Sequence, residues 1–201
     1  TYGCVVCVPY DRGETYWWGE RSDGRKGSKF LANVLMPWLI SYMGVSPLRN
    51  DHMIAGYSKS GNAAVSQILL YPTIWGFAAA WDGAFLNNYP DNVSNSDFDS
   101  SGIYALFDPK QILAANVASV NDRKRLTISG KAVWGADFTS FKSSLTTEGV
   151  SFDTRDVTES THAWGPTGVN GGWTPLMIST MIAQRTAAYN TGFSKSSMFF
   201  M

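Results

Sequence analysis

Charge imbalance is the first thing this chain lacks. It carries 16 Lys and Arg against 16 Asp and Glu, so its formal net charge is zero. A balanced chain has no broad field to draw nucleic acid or an anionic membrane, and neither is expected as a partner. Long apolar runs are also missing. None reaches the ~20 residues that cross a bilayer, so no membrane span is expected. Metal ligands are scarce, with 2 Cys and 2 His in 201 residues, too few for the usual zinc site. Cys4 and Cys7 lie three apart in a strand-like stretch, where they point to opposite faces. A mutual disulfide is therefore not expected, and buried thiols are the plainer reading. The redox compartment stays open.

What is present is core-forming material. Hydrophobic residues make up 44% and charged residues 16%, the balance of a folded globule. The length suits one domain with a substantial interior, and 1–201 is read as that. No internal repeat or low-complexity tract interrupts it. The sequence opens on Thr1, which is expected of a processed product or a piece of a longer chain.

Apolar and polar segments alternate regularly. "YGCVVCVPY" (2–10), "HMIAGYS" (52–58), "WGFAAAW" (75–81), "KRLTISGKAVWG" (124–135) and "VSFDTRDVTE" (150–159) read as strands. Between them, 29–43, 61–71, 108–120, 138–149 and 172–188 read as helices. Pro37 should kink the first, with Phe30, Val34, Met36 or Pro37 and Ile40 along one side, and Asp108 should cap the third with Pro109 at its first position. Strand–helix alternation predicts an α/β fold with a mostly parallel sheet. The Gly/Asn/Ser/Asp-rich stretch 83–102 is a loop long enough to suggest function.

In such a sheet, loops at the carboxyl ends of the strands line the functional edge. "IAGYSKSGNAAV" (54–65) places Ser58 there, where an apolar strand turns into a helix. Gly56 leaves room for a sharp turn, and Ser60 and Gly61 let the helix approach. Lys59 would offer its backbone N–H to a developing oxyanion. A plain turn would use the same small residues, so the serine needs a base and an acid to mean more. His52 opens the strand that ends at Ser58, roughly 20 Å away at ~3.3 Å per residue, and is read as a surface or capping histidine. His162, in "ESTHAWGPTG", follows the last strand and lies at the functional edge. Asp137, in "AVWGADFTS", follows the fourth strand directly and is the preferred acid. It could instead cap the helix beginning near Phe138. Asp82, at the end of the third strand, is its rival, with Asp156 and Glu159 behind.

"VVCVPYDRGETYWWG", "FLANVLMPWL" and "IAGYSKSGNAAVSQILLYPTIWGFAAAWDGAF" together resemble the esterase D and antigen 85 group of α/β-hydrolases, which includes feruloyl and acetyl-xylan esterases. "GADFTSFKSSLTTEGVSFDTRDVTESTHAWG" is similar to the ending of that group, with Trp164 at its tryptophan. The resemblance covers roughly residues 3–185. It implies Ser58 as nucleophile, Asp137 as acid, His162 as base and Lys59 as a backbone oxyanion donor. Three departures stand out. Ser60 replaces a glycine or alanine, and Asp82 stands where a small residue is usual. The strands that the group carries ahead of Tyr2 have no counterpart here. This implies an α/β-hydrolase-like sheet without its amino-terminal strands, completed by further chain or by a partner segment.

The function this points to is a serine hydrolase of carboxylic esters acting through an acyl-enzyme, with no metal or organic cofactor. The substrate would be a small-molecule or carbohydrate ester, for which Tyr16, Trp17, Trp18 and Trp164 could form platforms. Core packing accounts for Trp17 and Trp18 equally well. Acyl transfer to an alcohol would use the same three residues. A non-catalytic module that keeps the turn without a full oxyanion hole is the alternative from another class.

Overall fold

The computed structural model describes residues 4–9, 19–20, 24, 26–86, 101–130, 134–154, 173–189 and 197–200. Its six strands are β1 (Val5–Cys7), β2 (His52–Tyr57), β3 (Phe77–Trp81), β4 (Leu126–Ser129), β5 (Phe152–Thr154) and β6 (Ser197–Phe200). The helices are α1 (Gly27–Phe30), α2 (Met36–Met43), α3 (Lys59–Leu70), α4 (Ser101–Ala105), α5 (Pro109–Val120), α6 (Gly135–Thr147) and α7 (Trp173–Ala188). The strands form one sheet in the order β1-β6-β2-β3-β4-β5, and every pairing is parallel. Each strand from β1 to β5 falls inside a stretch expected to be one.

The sheet is apolar on both sides because period-two alternation sorts its residues. Ile54, Ala78, Ala80, Leu126 and Ile128 meet Leu31, Met36, Leu39 and the α3 residues Ala64, Val65 and Ile68 on one face. Met53, Ala55, Phe77, Ala79 and Trp81 meet Met177 and Met181 of α7 on the other. Coverage on both faces is what parallel strands require, and it explains why β2 and β3 read as unbroken apolar runs.

Two features differ from expectation. The sheet has a sixth strand, β6, inserted between β1 and β2, with Val6 opposite Met198 and Ile54 opposite Phe199. Its four residues carry no local sign of that partner. The kink expected at Pro37 takes the form of a π turn, Leu31–Leu35, in which Met36 N–H bonds Leu31 O. Proline lacks an N–H and its ring crowds the carbonyl one turn back, and widening the turn ahead of it relieves both.

His52 is buried rather than at the surface. Its Nδ1 lies 2.8 Å from Ile74 O and its Nε2 2.6 Å from Ser46 O. Cys4 and Cys7 are free and half-buried, less covered than expected, and burial pushes the Cys7 thiol up. Among the described residues, no helix is long and apolar enough to cross a membrane.

Asp108 caps α5 as its sequence predicts, accepting from Lys110 N at 3.4 Å, with Pro109 at the first helical position. Burial pushes its carboxyl up to about 6, against the pull of bonds from Lys110 and Gln111. The folded state therefore holds this proton more tightly than the unfolded chain. The resulting stability is complete below about pH 4 and is lost as pH rises through about 6. Asp108→Asn keeps a capping oxygen without the buried charge. It should raise the melting temperature at pH 8 by a few degrees, from roughly 1–2 kcal/mol, and change little at pH 4. Melting curves at the two pH values check this.

Candidate active site

The site is built around the turn from β2 into α3. Ser58 occupies the apex with φ 57° and ψ −123°, a conformation that costs a non-glycine residue about 1–3 kcal/mol. Gly56 makes the turn possible, since a Cβ there would lie 1.9 Å from Ser60 O. Any other residue would push the helix off the strand. Ser58 N–H bonds Trp81 O at 3.0 Å, which ties the apex to β3. The Ser58 carbonyl accepts from Gly61 N (3.0 Å), Asn62 N (3.2 Å) and Ala84 N (3.0 Å). Lys59 is the first residue of α3, and amides at a helix start present their N–H groups and a positive field to the space ahead.

The second strained position lies beside the first. Asp82 follows β3 with φ 41° and is 1% exposed. It is the neighbour of Ser58 across the sheet, because Tyr57 and Trp81 are register partners. Its N–H bonds Ser129 O at 2.6 Å. Gly130, at the end of β4, completes the row, with the position of a Cβ there only 3.4 Å from Asp82 Cα. A cleft of about 480 Å³ runs from Gly130 along α6, past Phe138, Thr139 and Lys142.

Asp137 follows β4 in the first turn of α6, half-buried. It is not the helix cap, because that position belongs to Trp134. Asp137 acts electrostatically on Tyr104 of α4: burial first, then the carboxylates of Asp108 and Asp137, push that phenol up, while the nearby Asn62 amide pulls it down. Tyr57, next to the serine, is pushed up to about 12 by burial and then by Asp82. His162 lies outside the described residues, as do Tyr16, Trp17, Trp18, Asp156, Glu159 and Trp164. Among the described residues, no cluster of His, Cys, Asp or Glu is placed to hold a metal.

Sequence reasoning passed over Asn62. It is buried in the first turn of α3, donates from Nδ2 to Ala84 O at 3.0 Å and engages Tyr104. An asparagine in the first turn of a buried helix favours neither burial nor helix formation, and that mismatch was the available signal.

No protein-family model and no curated relative matches the chain. Solved structures do match. The chain is similar to MPT51 of Mycobacterium tuberculosis, at 19% identity and a TM-score of 0.59 over 88% of this chain and 74% of that one. It is similar to FphF of Staphylococcus aureus, named a fluorophosphonate-binding serine hydrolase, at 16% identity and a TM-score of 0.63 over 88% and 69%. The S-formylglutathione hydrolase FrmB of Staphylococcus aureus matches at 16% identity and a TM-score of 0.61 over 88% and 70%. These likenesses give the fold: a parallel α/β-hydrolase sheet, shared with the group that the sequence resembles.

Proposed function

We propose that this chain is a serine hydrolase of carboxylic esters, with Ser58, His162 and Asp137 as its triad. The reading is carried by one observation: a serine in a strained left-handed conformation at the point where β2 becomes α3, over a glycine that nothing larger can replace. Strain of this kind persists where the surroundings enforce it and function uses it.

In the reaction, Ser58 Oγ attacks the ester carbonyl while His162 takes its proton. The oxyanion forms against the Lys59 N–H at the start of α3. His162 then returns the proton to the departing alcohol, leaving Ser58 acylated. Water, activated by the same histidine, releases the acid and restores the serine. Asp137 holds the imidazole in the required tautomer and offsets its charge. No metal or organic cofactor enters the scheme. The substrates are small esters, including acylated sugars.

A fluorophosphonate probe tests this directly, because it labels only activated serines. Incubation at neutral pH should add one phosphonyl group, the probe mass less HF, to the protein, and peptide mapping should locate it at Ser58. Folded protein that stays unlabelled while a control hydrolase reacts would end the enzyme reading.

A further inference from the structure

The described residues include two non-glycine residues with positive φ, Ser58 and Asp82, and they are neighbours at the carboxyl ends of adjacent strands. The strain at Ser58 belongs to the nucleophile. The strain at Asp82 needs its own account, because a buried carboxylate in a left-handed conformation costs free energy twice.

A clasp holds it in place. The Ser58 carbonyl accepts from Ala84 N at 3.0 Å, and the Ala84 carbonyl accepts from Asn62 Nδ2 at 3.0 Å. The loop after β3 is thus fastened through both backbone groups of one residue, to the serine and to the helix behind it. Gly83, within the same loop, lies against the Phe85 ring, where a Cβ would be 2.5 Å from the nearest ring carbon. Asp82 Nα is fixed in turn on Ser129 O. The Asp82 backbone is therefore fixed at one place beside the nucleophile, with Gly130 and the Phe138 ring next to it.

We propose that Asp82 is a specificity-determining residue, held by the Asn62 clasp, that turns away esters bearing negative charge close to the scissile carbonyl. The proposal rests on the ester-hydrolase reading of Ser58. Two like charges about 7 Å apart, at the effective screening of a partly buried site, repel strongly enough to change binding about 50-fold. Tyr57 already registers the field, as Asp82 adds to burial in pushing its phenol up. Among the described residues, the other charges at this edge are Asp137, which reinforces Asp82, and Lys59, whose ammonium ends a flexible stem on the elbow. Lys142 lies farther along α6, over the Phe138 ring at 5.8 Å from its centroid. Charge filtering therefore applies to short acyl groups and not to long ones that could reach Lys142.

The test compares 4-nitrophenyl methyl succinate with 4-nitrophenyl hemisuccinate, which differ by one negative charge. Each kcat/KM is divided by the ester's own rate of alkaline hydrolysis. The wild-type protein should favour the neutral ester by about 10- to 100-fold. Asp82→Asn, which tolerates the same backbone, should reduce the ratio to about threefold or less by raising turnover of the anionic ester. Asn62→Ala should reduce it in part by loosening the clasp. A wild-type ratio near one overturns the proposal without any variant. An unchanged ratio in Asp82→Asn does the same, and equal loss of both esters would instead make Asp82 the triad acid. Wild-type protein that hydrolyses neither ester and takes no probe defeats the underlying hydrolase reading, a separate result.

Discussion

Replacing Ser58 by alanine is expected to abolish probe labelling and to lower ester turnover by roughly 10⁴-fold or more, with the melting temperature close to that of the wild type. The loss is large because, in the proposed reaction, the group removed is the one that forms the covalent bond. His162→Ala should be nearly as damaging, and Ser58→Ala combined with His162→Ala no worse than either alone, since triad members act as a unit. Asp137→Asn should cost about 10²- to 10⁴-fold, because it leaves the imidazole in the wrong tautomer. Its decisive comparison is Asp82→Asn measured on the neutral ester. If Asp82→Asn is the more damaging of the two, the acid belongs after β3 and not after β4. If Ser58→Ala remains labelled, the nucleophile lies elsewhere and the strained turn is only a turn.

The elbow was legible in the sequence because its requirements are local. Gly56, Ser58, Ser60 and Gly61 are small for reasons confined to six residues, and the apolar run before them and the helix after them signal themselves. The same holds for β3, whose alanines show burial on both faces, and for the cap at Asp108. Legibility fails where the cause is distant. The segment 29–43 is apolar nearly all round, so periodicity grouped Phe30 and Val34 with Met36 or Pro37 and Ile40, yet Phe30 and Val34 are exposed, while Leu31, Ala32, Met36 and Leu39 are buried. Nothing in "SMFF" (197–200) says that it inserts between β1 and β2, because parallel pairing across such a separation is set by the assembled sheet. Ser101–Ala105 forms a helix at the end of a stretch read as loop, and its Tyr104 gains meaning only through Asn62 and Asp137.

The strain at Ser58 and Asp82 is supported by hydrogen bonds that run between elements. Ser58 binds β3, Asp82 binds β4, and Ala84 binds back to the elbow. Three adjacent strand ends are thereby locked to one another without the help of a side chain at Gly130. A site assembled this way depends on the sheet beneath it staying in register as far as its opposite edge.

At that edge, Arg125→Leu is expected to destabilise the fold by about 3–5 kcal/mol. Arg125 immediately precedes β4 and is 0% exposed. Its Nε donates to Gly76 O at 2.9 Å, Nη1 to Ser119 O at 2.5 Å, and Nη2 to Pro72 O at 2.8 Å and to Trp75 O. Four carbonyls from the turn ahead of β3 and the end of α5 thus converge on one guanidinium, with Asp122 3.6 Å away. Burial, then the neighbouring Arg49, pulls the group down to about 10, which leaves it charged at neutral pH. Leucine would leave these carbonyls buried without their donor, and a melting temperature lower by about 10 °C should follow. Arg125→Lys should recover only part of this, because an ammonium cannot reproduce a planar fork serving four acceptors. The two experiments separate stability from chemistry. Ser58→Ala should lose turnover and keep its melting temperature, whereas Arg125→Leu should lose melting temperature and keep its turnover per folded molecule at low temperature. Loss of turnover in folded Arg125→Leu would show that the amino edge sets the geometry of the elbow, and an unchanged melting temperature would show that the four carbonyls find other donors.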